Sequence, residues 1–78
     1  MTVSKTQLRA LKHVGSNPGA TTYQIYEASK SRTHPKYPAI SLSKRGMIEE
    51  SEKNPDGWQI TKRGQDQIES YRKAGLLN

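Results

Sequence analysis

Cysteine is absent from the 78 residues, and so is phenylalanine. The first absence excludes disulfides, thiolate metal sites and a thiol nucleophile together, and it fits a reducing cytoplasm. The second, with apolar residues at only 31% of the chain, leaves material for one small core. The length suits a single domain, residues 1–78, and not two. A domain this small gains buried surface by pairing with a second copy, which makes a homodimer an expected state. No run approaches the roughly 18 uninterrupted apolar residues that a membrane span needs. The opening "MTVSKTQLRALKHVGS" has charges where a secretory leader would hold its apolar stretch. The expectation is a cytoplasmic protein with no membrane partner.

Acids are also scarce, and their placement is uneven. None precedes Glu27, and none lies between Glu27 and Glu49. That second gap holds Lys30, Arg32, Lys36, Lys44 and Arg45, with His34 among them. Four of the seven acids then crowd into residues 49–56. With a net charge of +6, this segregation gives one positive face, the electrostatic footprint of a polyanion binder. A basic but merely solvated surface is the plainer alternative.

The pattern of elements comes next. Ser4-x-x-Gln7 has capping-box spacing and opens a helix whose apolar stripe is Leu8, Leu11 and Val14, with Gly15 as its left-handed cap. "SNPGA" reads as a loop. Thr21-x-x-Gln24 repeats the capping spacing and begins a short helix. It turns Ile25 and Ala28 inward, with Tyr23 or Tyr26 flanking them, and ends near Ser29 or Lys30. After the polar "SKSRTH", a third helix starts between Pro35 and Pro38, since proline is tolerated in a first turn, and runs to Arg45. It buries Ala39 and Leu42, and Gly46 ends it. "MIEES" and "WQIT" then read as two short strands joined by "EKNPDG", whose Asp-Gly is a hairpin signal. Thr61 caps a last helix with Ile68 and Tyr71 on its inner face and Gly64 as a weak point.

The class expected is therefore α+β, mostly α: three helices, a short β-hairpin and a C-terminal helix. The second and third helices form a helix-turn-helix candidate. The stretch "AISLSKRGMIEESEKNPDGWQITKRGQDQIE" resembles the second half of a bacterial winged-helix transcription-regulator domain of the MarR/PadR-like kind. Ala39, Leu42, Arg45, Gly46 and Ile48 fall on its recognition helix, basic residue, glycine and strand; Trp58, Ile60, Thr61 and Gly64 fall on its wing and following helix start. "TTYQIYEAS" resembles the helix before recognition. The approach to the third helix, "THPKYP", departs from the small-polar pattern of that family. A domain of this size also resembles the small regulators common in phages. The resemblance implies a winged helix-turn-helix, with double-stranded DNA as partner and transcription regulation as function.

The residues give that reading its chemistry. A third helix that buries Ala39 and Leu42 turns Lys36, Tyr37, Ser41 and Lys44 outward, where lysine reaches guanine acceptors or phosphate, and serine or tyrosine adds polar contacts. Lys30, Ser31, Arg32 and Thr33 precede it as phosphate clamps. Arg45 either contacts DNA or caps carbonyls at the helix end. Lys53, at the hairpin tip, is a further candidate, although Glu49, Glu50, Glu52 and Asp56 surround it. Trp58 is expected in the core. Lys62 and Arg63 oppose the dipole at a helix start, which points to a role other than stability. His13 and His34 without cysteine give no zinc pattern. No phosphate-binding glycine loop, nucleophile–base pair or apolar carboxylate pair is present, so neither an enzyme nor a cofactor is expected. The competing reading is a winged-helix protein-interaction module, an inhibitor or recruiter of a host protein, with its partner at the acidic wing or the tail "LL".

Overall fold

Ser4 begins the first helix as its spacing requires. In the computed structural model, which describes residues 4–30, 32 and 34–75, the Ser4 hydroxyl accepts the Gln7 N–H at 3.2 Å. The Gln7 side chain accepts the Ser4 N–H in return, also at 3.2 Å. Helix α1 (Lys5–Ser16) then buries Ala10, Leu11 and Val14 completely. It does not stop at Gly15. The chain leaves at Asn17, whose backbone and side-chain amides both donate to the His13 carbonyl. The left-handed residue expected at Gly15 is Gly19 instead, after Pro18 has broken the helical path.

Thr21 repeats the reciprocal cap with Gln24 at 3.2 and 3.0 Å and starts α2 (Thr22–Ser29), which buries Ile25. The helix ends on Lys30 at φ 56°, the one non-glycine at positive φ among the described residues. Helix α3 (Tyr37–Lys44) begins within the expected window, with Pro38 in its first turn, and buries Pro38, Ala39 and Leu42. Its end is a Schellman motif: Gly46 donates to the Ser43 carbonyl at 3.0 Å and Met47 to the Leu42 carbonyl at 3.0 Å. That motif needs a left-handed residue, and Gly46 supplies it at φ 74°.

The sheet has three antiparallel strands in the order β1-β3-β2, not the two of a simple hairpin: β1 (Ala20–Thr21), β2 (Ile48–Glu50) and β3 (Gly57–Ile60). Strand β1 is two residues long and pairs Ala20 with Trp58 and Thr21 with Gly57. The Asp56–Gly57 pair is not the hairpin turn. Gly57 belongs to β3, and glycine is required there because a Cβ would collide with the Gly19 carbonyl. The connection is the longer loop 51–56, which Asn54 ties to β1 by donating to that same carbonyl at 3.0 Å. Thr61 caps α4 (Lys62–Lys73) by accepting the Gly64 N–H at 3.2 Å.

One core joins these elements. Leu11, Val14, Ile25, Leu42 and Ile48 are fully or almost fully buried, with Met47 and Tyr71 closing it and Leu8, Trp58, Ile60 and Ile68 packed against its edge. Full burial of each large aliphatic is worth about 1.5–3 kcal/mol, so a few contacts carry the fold. The architecture is α+β and mostly helical, with four helices among the described residues. None of them is long and apolar enough to cross a membrane.

Gly64 is a packing requirement and not a weak point. A Cβ there would overlap the Met47 carbonyl oxygen and lie 2.7 Å from Ile60 Cγ1. Alanine favours a helix over glycine by about 1 kcal/mol, but the clash outweighs that gain. Gly64→Ala is expected to lower stability by about 2 kcal/mol, roughly 10 °C in thermal midpoint. A melt with an unchanged or higher midpoint would contradict this close approach.

Candidate nucleic-acid interface

Helix α3 owes its orientation to three buried side chains. At 3.6 residues per turn, burying Pro38, Ala39 and Leu42 centres the opposite face on Tyr37, Ile40 and Lys44. Tyr37 is 56% exposed, Ile40 42% exposed, and Lys44 is exposed as well. These three form one stripe, at i, i+3 and i+7. Lys36, the N-cap residue, is exposed at its start, with its backbone N–H donating to His34 Nδ1 at 3.2 Å.

Ser41 departs from the expectation. It is half-buried, and the Gln7 side-chain amide donates to its hydroxyl, tying α3 to α1. It therefore faces α1 and not the open stripe. Ile40 takes the outward position, and the sequence reading missed it because an apolar side chain carries no chemical sign of an exposed role. The signal was present in its helical angle, since Ala39 and Leu42 cannot turn inward without turning Ile40 out.

The other candidates are exposed to different degrees. Lys30 is exposed at the left-handed end of α2, and Arg32 is exposed in the connection to α3. Ser31 and Thr33 lie outside the described residues, as does the Leu76–Leu77 tail. Arg45 is half-buried at the C-cap of α3, where its carbonyl accepts from Arg63 Nη1 at 3.2 Å. Lys53 is exposed on loop 51–56. Glu49, Glu50, Glu52 and Asp56 are all exposed around it. Trp58 packs against the core as expected, with its indole N–H donating to the Thr22 hydroxyl at 2.9 Å.

Of the two tyrosines flanking the inner face of α2, Tyr23 is 60% exposed and Tyr26 half-buried, with ring centroids 6.1 Å apart. The Tyr23 phenol donates a hydrogen bond to the Glu27 carboxylate one turn later. That bond, and then the negative charge of Glu27, push its pKa above the ordinary 10.0. Among the described residues no group of three His, Cys, Asp or Glu side chains is arranged to hold a metal ion.

No protein-family profile matches the chain, and neither the curated proteins nor the solved structures contain a match to it.

The Tyr23–Glu27 pair gives a local check of the geometry. Glu27→Gln removes the charge, and the Tyr23 ionisation midpoint is expected to fall back toward 10.0 in an ultraviolet titration, with Tyr23→Phe identifying the transition. The sign for stability follows from linkage. A phenol with a raised folded-state pKa supports folding below its unfolded value, and that support is lost as pH rises through the folded value.

Proposed function

We propose that the domain is a winged helix-turn-helix that binds double-stranded DNA as a small transcription regulator. Helices α2 and α3 form the helix-turn-helix, and the β2–β3 hairpin with loop 51–56 forms the wing. The observation that carries this reading is the exposed stripe Tyr37, Ile40 and Lys44 on a helix preceded by Lys30, Arg32 and Lys36, in a stretch without a single acid from residue 28 to 48.

The chemistry follows from the groove. A major groove admits one α-helix, and its base edges offer guanine acceptors and thymine methyl groups. Lys44 reaches the acceptors or a phosphate, Ile40 packs on a methyl group, and Tyr37 meets sugar or phosphate. Lys30, Arg32 and Lys36 neutralise phosphates, which fixes register and makes affinity salt-dependent. The acidic loop keeps the wing out of the groove and leaves base reading to α3. In this reading the protein works in the cytoplasm, as a homodimer on a pseudo-palindromic site that mirrors its symmetry.

A second reading has one observation in its favour. The exposed Glu49, Glu50, Glu52 and Asp56 make a surface suited to a basic protein partner, with the same scaffold serving as an interaction module. Absence of any salt-dependent duplex binding at modest ionic strength, with a basic partner retained by the hairpin, would favour it.

Selection of bound fragments from random duplexes provides the site, and titrations against salt then separate the roles. Replacing both Lys36 and Lys44 by Ala is expected to weaken binding and to flatten the slope of log K against log salt by about 0.9 for each phosphate no longer neutralised. Unchanged binding would remove α3 from the interface. Ile40→Ser is expected to leave the slope alone and to cut the preference for the selected site over random duplex by roughly fivefold, about 1 kcal/mol.

A further inference from the structure

Beyond the stripe on α3, a second arrangement of basic groups lies where three elements meet. An open pocket of about 350 Å³ is lined by Arg45, Met47, Arg63 and Gln67. Arg45 comes from the end of α3, Met47 from the approach to β2, and Arg63 and Gln67 from successive turns of one face of α4. The frame is rigid. Thr61 donates its hydroxyl to the Gly46 carbonyl at 2.6 Å and its N–H to the Met47 carbonyl at 3.0 Å, while Gly64 packs against that same Met47 carbonyl.

Electrostatics make this pocket unusual. The first turn of α4 contains no acid and two cations, Lys62 and Arg63, at the positive pole of the helix. Helix stability favours the opposite charge there. Arg63 makes no ion pair among the described residues; Asp66, three residues along α4, does not pair with it. Its Nη1 donates to the Arg45 carbonyl, which leaves most of the five N–H donors of a guanidinium for another acceptor. The same bond ties Arg63 to the backbone of Arg45, and both residues line the pocket.

We infer that this pocket is a socket for one phosphate group, gripped by the guanidiniums of Arg45 and Arg63 with the Gln67 amide as a further donor. Paired guanidiniums suit this anion because their planar N–H forks match its oxygens two at a time. Gln67 adds a donor without adding a charge, and the buried Met47 forms the apolar floor. The source of the phosphate rests on the DNA reading above: Arg45 directly follows Lys44, so a backbone phosphate flanking the groove that takes α3 is the occupant. A free phosphate would satisfy the same donors.

Two titrations separate these sources. In the first, the chain is titrated with a selected duplex across a salt series. Arg63→Gln and Gln67→Glu, the second placing a carboxylate in the pocket without changing its size, are each expected to flatten the salt slope by about 0.9. In the second, inorganic phosphate is added while the side-chain N–H resonances of Arg63 and Gln67 are followed by NMR, with sodium chloride at equal ionic strength as control. These resonances are expected to shift with phosphate alone, and not in Gln67→Glu. If the parent chain binds duplex and both folded variants keep its slope and affinity, the socket is overturned and the DNA reading stands. If duplex does not bind but phosphate shifts those resonances, the socket stands with a free phosphate as its ligand, and the DNA reading falls. Resonances that respond no differently to phosphate and to chloride, with unaltered slopes, overturn the socket outright.

Discussion

The carbonyls of Gly46 and Met47 are both taken by Thr61, one through its hydroxyl at 2.6 Å and the other through its backbone N–H at 3.0 Å. These two bonds join the end of α3 to the start of α4 across the mouth of the hairpin. They are possible only because the chain turns left-handed at Gly46 and because Gly64 lets α4 approach the Met47 backbone. Leu42 and Ile48, on either side of this turn, are both sunk in the core. One junction thus links the end of α3, the mouth of the hairpin and the first turn of α4, which carries Arg63. Helix α3, with Tyr37, Ile40 and Lys44 on its exposed stripe, is tied to α1 along its length by the Gln7–Ser41 bond and to α4 at its end by the junction.

Features encoded within four or five residues were legible in the sequence. Both capping boxes appear where Ser4-x-x-Gln7 and Thr21-x-x-Gln24 put them, because a cap needs nothing beyond its own turn. The third helix, its buried Ala39 and Leu42, the stop at Gly46 and the cap at Thr61 were readable for the same reason. What stayed hidden depends on distant partners. A two-residue β1 has no periodicity to detect, and it exists only because β3 lies beside it. Gly57 looked like half of an Asp-Gly turn, whereas its lack of a side chain serves the passage of Gly19. Gly64 looked like a flaw for want of knowledge that Met47 packs there. Of the candidate site, the outward face of α3 was half legible: Tyr37 and Lys44 were found, Ser41 was claimed by α1, and Ile40 was overlooked because its chemistry advertises a core.

Charge and packing divide the molecule along the same line. The residues from Lys30 to Arg45 carry cations without acids, and they precede or form α3. Past the junction the sign reverses along β2 and loop 51–56, then reverses again at Lys62 and Arg63. In the DNA-binding reading proposed above, such a distribution would orient the molecule before contact, drawing a polyanion to one side and repelling it from the hairpin. Orientation of this kind costs no buried surface, which a chain with 31% apolar residues has little of.

The exposed pair Glu49 and Glu50 has a further consequence. They sit on β2, which forms an outer edge of the sheet, with its far side unpaired among the described strands. An open edge is a template on which a strand from another molecule can add and so begin aggregation. A like copy docking antiparallel on β2 would bring its own glutamates against these, and carboxylates facing one another across strands repel. These acids thus act as a gatekeeper at the edge, discouraging growth of the sheet from chain to chain.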